Sequence, residues 1–177
     1  MRKLMILAIP AALAASPALA QSSSGTVSID GSVAGRCLFT VPSKTISLGE
    51  LALSGTGATA GKLDTAKVNG RTETLVGWCN NAAATMTVTT TELTNPATAA
   101  PGFDKRIDYT ATAVANSANA SDTSLTAGAG ATQPVGMFTG NVVVTLSAAS
   151  TPTNGLLVAG AYTGNVVVTL APTIALP

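Results

Sequence analysis

What most limits the folds open to this chain is how often its apolar segments are interrupted. Short apolar stretches recur at residues 37–41, 45–53, 73–79, 84–93, 107–114, 136–146 and 162–170, separated by Ser54-Gly55-Thr56-Gly57, Asn95-Pro96, residues 116–121 and Thr151-Pro152-Thr153-Asn154-Gly155. Gly, Pro, Asn and Ser clusters at this spacing stop elements before a helix can mature, and short runs between such turns are the sequence form of a β-sandwich or barrel. Within 85–90, Met86, Val88 and Thr90 alternate with Thr85, Thr87 and Thr89, the period-two pattern of a half-buried strand. No segment beyond residue 20 carries a helical stripe. The alanines of 111–131 sit among Gly, Asn and Thr, which predicts a loop or irregular strand there. Aromatic residues make up only 3% of the chain, so the core must be built from Ala, Val and Leu. An echo joins 139–146 to 163–170, both reading Thr-Gly-Asn-Val-Val-Val-Thr-Leu. Two copies are too few for a solenoid, and the expectation is two core strands built alike, each opened by a Gly-Asn turn.

Charge and side-chain chemistry then narrow the function. With 9 Lys+Arg, 8 Asp+Glu and 10% charged residues, the chain has no basic cluster to hold phosphate backbones or anionic lipid, and no nucleic-acid partner is expected. The absence of histidine removes Ser-His-Asp and Cys-His nucleophilic sites and His-based zinc sites. The acidic residues stand singly, Gly55, Gly57 and Gly61 lead into Lys62-Leu63 rather than a phosphate-binding ending, and no calcium loop is present. The sequence predicts no catalytic residue, no metal and no cofactor. Residues 103–109 form the densest charged patch, read as a solvated turn entering a strand in preference to a ligand contact.

The first 20 residues stand apart from the fold. A basic Met1-Arg2-Lys3, an apolar run over 4–13 and a small-x-small Ala18-Leu19-Ala20 predict a cleaved secretory signal, with the mature chain beginning at Gln21. Pro10 and Pro17 interrupt the run, and about 20 apolar residues are needed to span a bilayer, so stable membrane insertion is not expected. Export places Cys37 and Cys79 in an oxidising compartment, where an even pair predicts one disulfide. The rival reading, a reactive or metal-binding thiol, lacks a C-x-x-C and a neighbouring histidine. Trp78 is expected to pack beside that bond rather than to stack a sugar.

The N-terminal segment alternates too. Val27, Ile29, Gly31 and Val33 share one face of an extended strand, with Thr26, Ser28, Asp30 and Ser32 on the other, and by pattern alone this is a half-buried edge strand. Gly31 interrupts the aliphatic face, as glycine does where another backbone or side chain comes close. This Gly25-Thr26-Val27-x-Ile29-x-Gly31-x-Val33-x-x-x-Cys37 run resembles the donor extension and first cysteine of chaperone-usher pilins, the type 1-like fimbrial subunits and the spore coat protein U domain family. Residues 45–49 resemble the strand after the first cysteine, 75–79 the strand carrying the second, and 159–170 the final strand of those domains.

The resemblance implies an immunoglobulin-like β-sandwich that is incomplete and is completed by a donor strand. It divides the chain into a signal at 1–20, a donor extension at 21–36 and a pilin-like domain at 37–177. It implies a fimbrial or pilus subunit that polymerises by donor-strand exchange and supports surface adhesion or biofilm formation. Val27, Ile29 and Val33 would enter pockets of the acceptor, with Gly31 where a side chain would clash. The implied partners are copies of the chain or other pilin subunits, a periplasmic chaperone and an outer-membrane usher. The implied location is the periplasm in transit and then the fimbrium at the cell surface. The chain departs from the family by running on through residues 171–177, where such subunits commonly end on an aromatic last strand. The tail or leader folding back would complete the sandwich in cis, although Pro172 and Pro177 make a poor tail strand. The alternative function is a self-contained secreted β-sandwich that binds carbohydrate or another surface ligand.

Overall fold

A computed structural model describes residues 21–173; the signal expected at 1–20 and the end of the tail, with Pro177, lie outside the described residues. The chain divides into two units between Val33 and Ala34. In the first, residues 21–33 are exposed and without regular secondary structure. The half-buried strand expected over 27–33 is therefore not formed: Val27, Ile29 and Val33 are 85, 91 and 88% exposed. An extended segment without a paired edge has no ladder to share and no face to bury.

The second unit is almost entirely β. Its strands are β1 (Cys37–Val41), β2 (Thr72–Cys79), β3 (Thr85–Thr90), β4 (Leu93–Thr94), β5 (Phe103–Asp104), β6 (Arg106–Ala115), β7 (Ala118–Thr123), β8 (Gln133–Pro134), β9 (Phe138–Ser150), β10 (Leu156–Leu157) and β11 (Val166–Ala171). Among the described residues a single 3-10 turn, Thr65–Lys67, is capped by the Asp64 carboxylate on the Ala66 N–H. Among the described residues no helix is long and apolar enough to cross a membrane. The larger sheet runs β1-β2-β9-β6-β4 with β7 also on β6, and the smaller runs β11-β3-β8; both are antiparallel. A two-residue parallel pairing of β10 with β5 is the exception.

The two sheets close over one core in a β-sandwich arrangement, as the turn-punctuated sequence predicts. Met86, Val88 and Val168 of the smaller sheet and Ile107, Ala111, Ala113, Val142 and Val144 of the larger one are all buried. Much of this interior is alanine, and the first part of the region 111–131 departs from expectation for that reason. Residues 111–123 form the regular β6–β7 hairpin, turning at Asn116 (φ 49°), with Ala111, Ala113, Ala115, Ala118 and Ala120 all inward, while 124–131 are the expected irregular loop. Small side chains let facing sheets approach within the usual spacing of about 10 Å. Gly130 then crosses β7 so tightly that an added Cβ would collide with the Ser121 carbonyl, while its N–H bonds the Val88 carbonyl at 2.9 Å.

The two echoed segments have different fates. In 139–146 no turn opens the strand: Thr139, Gly140 and Asn141 lie inside β9, the strand between β2 and β6, with Gly140 (φ 135°) opposite Gly77. The second copy enters β11, which pairs on one side only, with β3. The same local sequence therefore serves a central and an edge strand, because burial is decided by neighbours that lie far away in sequence.

Candidate functional site

The disulfide predicted for Cys37 and Cys79 is present, joining β1 to β2 with Cα atoms 4.2 Å apart in directly opposed positions. Trp78 stands next to it, opposite Leu38 and half-buried. Of the other sequence-predicted residues, Val27, Ile29, Gly31 and Val33 remain exposed, and a Cβ built at Gly31 would meet no atom within 4 Å. Nothing among the described residues requires glycine there.

A cleft of about 800 Å³ lies between residues 45–52 and residues 157–165, continued by a second of about 240 Å³ that reaches Val166 at the start of β11. The first lip holds the other departure from expectation. Residues 45–53 carry a strand pattern, yet only Ala52 forms a bridge, to Leu63. Ile46, Leu48 and Leu51 are nevertheless packed against the core. Backbone hydrogen bonds join only the end of this segment to a neighbour, Leu51 and Leu53 bonding to Gly61, Lys62 and Asp64, while Ile46 and Leu48 are held by their side chains.

The opposite lip is tied down by buried polar groups. The Asp104 carboxylate, only 4% exposed, accepts hydrogen bonds from Gly155 N–H at 2.7 Å, Thr153 hydroxyl at 2.9 Å and Thr153 N–H at 3.3 Å. Burial alone would raise its pKa, but the bonds from Gly155, Thr153 and Thr151 together outweigh burial and hold it below the ordinary carboxylate value. Asn95, also buried, donates from Nδ2 to the carbonyls of Val158 and Ala159, both at 3.2 Å. The Tyr162 hydroxyl lies 3.0 Å from the carbonyls of Asp104 and Val158, and burial raises its pKa. In the cleft floor, the Tyr109 hydroxyl donates to the Thr91 carbonyl at 2.8 Å. Burial, with the nearby Glu92 charge adding to it, pushes the Tyr109 pKa up to about 12. The charged patch at 103–109 is thus solvated only in part: Phe103 and Lys105 are exposed, but Asp104 and Asp108 are both buried, and Asp108 is paired with Arg106 at 2.8 Å.

These carboxylates are engaged in holding loops. Among the described residues no three His, Cys, Asp or Glu side chains gather as a metal site. What the cleft offers is an edge. In an antiparallel pair, groups not bonded to the partner point the opposite way, so the outer side of β11 presents backbone N–H and C=O groups that no strand receives. Sequence reading singled out the patterned segment 45–53 and the last strand but did not foresee that 45–52 would face residues 157–165, which lead into that strand, across a gap. The lip-holding roles of Asp104 and Asn95 were also missed; Asn95-Pro96 carried only a turn signal.

Fold and site together define an all-β protein of two packed, largely antiparallel sheets with one disulfide and an unpaired strand edge beside an elongated cleft. Compared with known proteins, the chain matches no family model, no curated protein and no solved structure.

Proposed function

We propose that the protein is a structural subunit that polymerises by donor-strand exchange, an exported fimbrial or pilus component supporting surface adhesion or biofilm formation. The observation that carries this reading is a complementarity within one chain: an exposed, alternating aliphatic segment at 25–33, and an unpaired β11 edge beside a cleft floored by Leu75, Leu93, Val144 and Leu146. Strand addition uses these two parts, main-chain hydrogen bonds for register and alternate side chains for specificity. Burying Val27, Ile29 and Val33 in a second copy at about 1.5–3 kcal/mol each supplies roughly 5–9 kcal/mol before ordering is subtracted. Exposed aliphatics of this kind are otherwise a liability in water. A contact between the extension of one copy and the edge of the next is heterologous and does not close, so it builds a fibre. On this reading the sandwich is immunoglobulin-like and lacks one strand, a periplasmic chaperone shields the edge in transit, and an outer-membrane usher delivers the subunit to the cell surface.

Deleting residues 22–34 tests the proposal. Electron microscopy of cells producing the variant should show no filaments containing it, with the domain still folded by circular dichroism. Filaments of normal length from the deleted chain would reject it. Specific carbohydrate binding that survives the deletion, with no assembly by the intact chain, would favour a self-contained binding module.

A further inference from the structure

Just past Cys79, two consecutive asparagines hold both ends of the domain at one turn. Asn80 faces the N-terminal side: its Oδ1 accepts the Arg36 N–H at 2.6 Å, its Nδ2 donates to the Ala34 carbonyl at 3.1 Å, and its own N–H donates to the Arg36 carbonyl at 3.0 Å. Asn81 faces the C-terminal side: its Nδ2 donates to the Thr173 carbonyl at 3.0 Å while its Oδ1 accepts the Ala83 N–H at 2.8 Å. The Thr173 hydroxyl completes the tie on the Ala83 carbonyl at 2.6 Å. Gly35 fits between them, since a Cβ there would lie 2.8 Å from Asn81 Nδ2 and 3.4 Å from Pro172. Thr173 is thereby bonded at the 81–83 turn, away from the residues that line the cleft.

Sheet pairing does not account for these bonds. The β1–β2 ladder ends at Cys37 and Cys79, and β11 ends at Ala171. An asparagine amide carries both a donor and an acceptor, so Asn80 imitates one more ladder step beyond the disulfide. We propose that Asn80 and Asn81 are positioning residues that make the root of the 25–33 extension and the end of the β11 edge one mechanical element. This rests on the strand-donation reading: tension arriving through a donated strand at Ala34 passes through one turn to the edge that receives the next strand. Without the side-chain ties, residues 34–36 would be held beyond the disulfide by the Asn80 N–H to Arg36 carbonyl bond alone, and the chain past Ala171 would lose its anchor at the end of β11.

The test uses the purified full chain with Asn80→Ala, Asn81→Ala and Asn80→Asp. Amide hydrogen exchange reads the tether in the unassembled protein. The Arg36 amide should exchange about tenfold or more faster in Asn80→Ala, while Asn80→Asp, which keeps the acceptor, should retain most of the protection. Thermal unfolding of all three should stay within a few degrees of the parent, because the ties lie at the surface. Unchanged Arg36 exchange in Asn80→Ala overturns the tether. Pulling single filaments reads the load: variant filaments should part at lower force than the parent, and equal rupture force with accelerated exchange overturns the mechanical coupling. If the parent forms no filaments, the strand-donation reading and the load-bearing role fall together, while exchange still reports separately whether the tie exists.

Discussion

Replacing Asp104 asks whether the lip at 151–162 is held as described. Its carboxylate, 4% exposed, accepts from Gly155 N–H at 2.7 Å and from Thr153 through both its hydroxyl and its N–H. A hydrogen bond to a charged group contributes about 1.5–3 kcal/mol when its partners are desolvated. Thr153 is exposed and regains water when released, whereas Gly155 is half-buried and regains less. Asp104→Asn keeps the shape but turns an amide N–H toward a donor, so the loss is set at about 2–4 kcal/mol. For a domain of this size about 3 °C accompanies each kcal/mol, which predicts a fall in Tm of about 6–12 °C at pH 7. The pH dependence gives a second check. Because the folded-state pKa of Asp104 lies below its ordinary 3.8, its contribution is fully present above that value and is lost as pH falls through the folded pKa. Thermal unfolding followed by circular dichroism at pH 7, 5 and 3 should therefore show a constant gap between parent and variant at the first two and a narrowing gap at the third. Equal Tm values at pH 7, or a gap undiminished in strong acid, would refute the assignment.

Other features can be tested in the same way. Cys37→Ala with Cys79→Ala opens a loop of 42 residues and should lower stability by about 4 kcal/mol in the chain-entropy model, read by urea unfolding. Met86→Ala removes the bulk of a side chain with no exposure, at an expected cost of about 2–5 kcal/mol in the same assay. Gly130→Ala drives a Cβ against the Ser121 carbonyl and should cost about 1–3 kcal/mol; an unchanged midpoint would mean that the loop over β7 is looser than described.

Much of the architecture was legible because its signals are local. Alternation in 85–90 and the short apolar run 73–79 place β3 and β2 correctly, and the expectation of an oxidising compartment pairs the two cysteines. Other features depend on contacts that no local window contains. Alanine has little strand propensity, so 118–123 reads as loop until the opposing β3 makes its small side chains the right size for a core. Residues 45–53 have a strand's pattern, and Ile46, Leu48 and Leu51 pack against the core, but only the end of the segment finds a backbone partner, at residues 61–64. Asp104 reads as surface charge in sequence, since the donors that justify its burial come from Thr153 and Gly155. The partners of Asn80 and Asn81, namely Ala34, Arg36 and Thr173, lie at the two ends of the domain, beyond any local window.

The claim that the 25–33 segment of one copy fills the cleft of another is tested most directly by cross-linking. Ile29→Cys in the extension and Ile46→Cys in the cleft, combined in one chain and oxidised under assembly conditions, should form disulfides between copies. A non-reducing gel should then show a ladder of covalent dimers, trimers and longer species that collapses to monomer on reduction. Monomer alone, under conditions where each cysteine is shown to be reactive, would contradict strand donation.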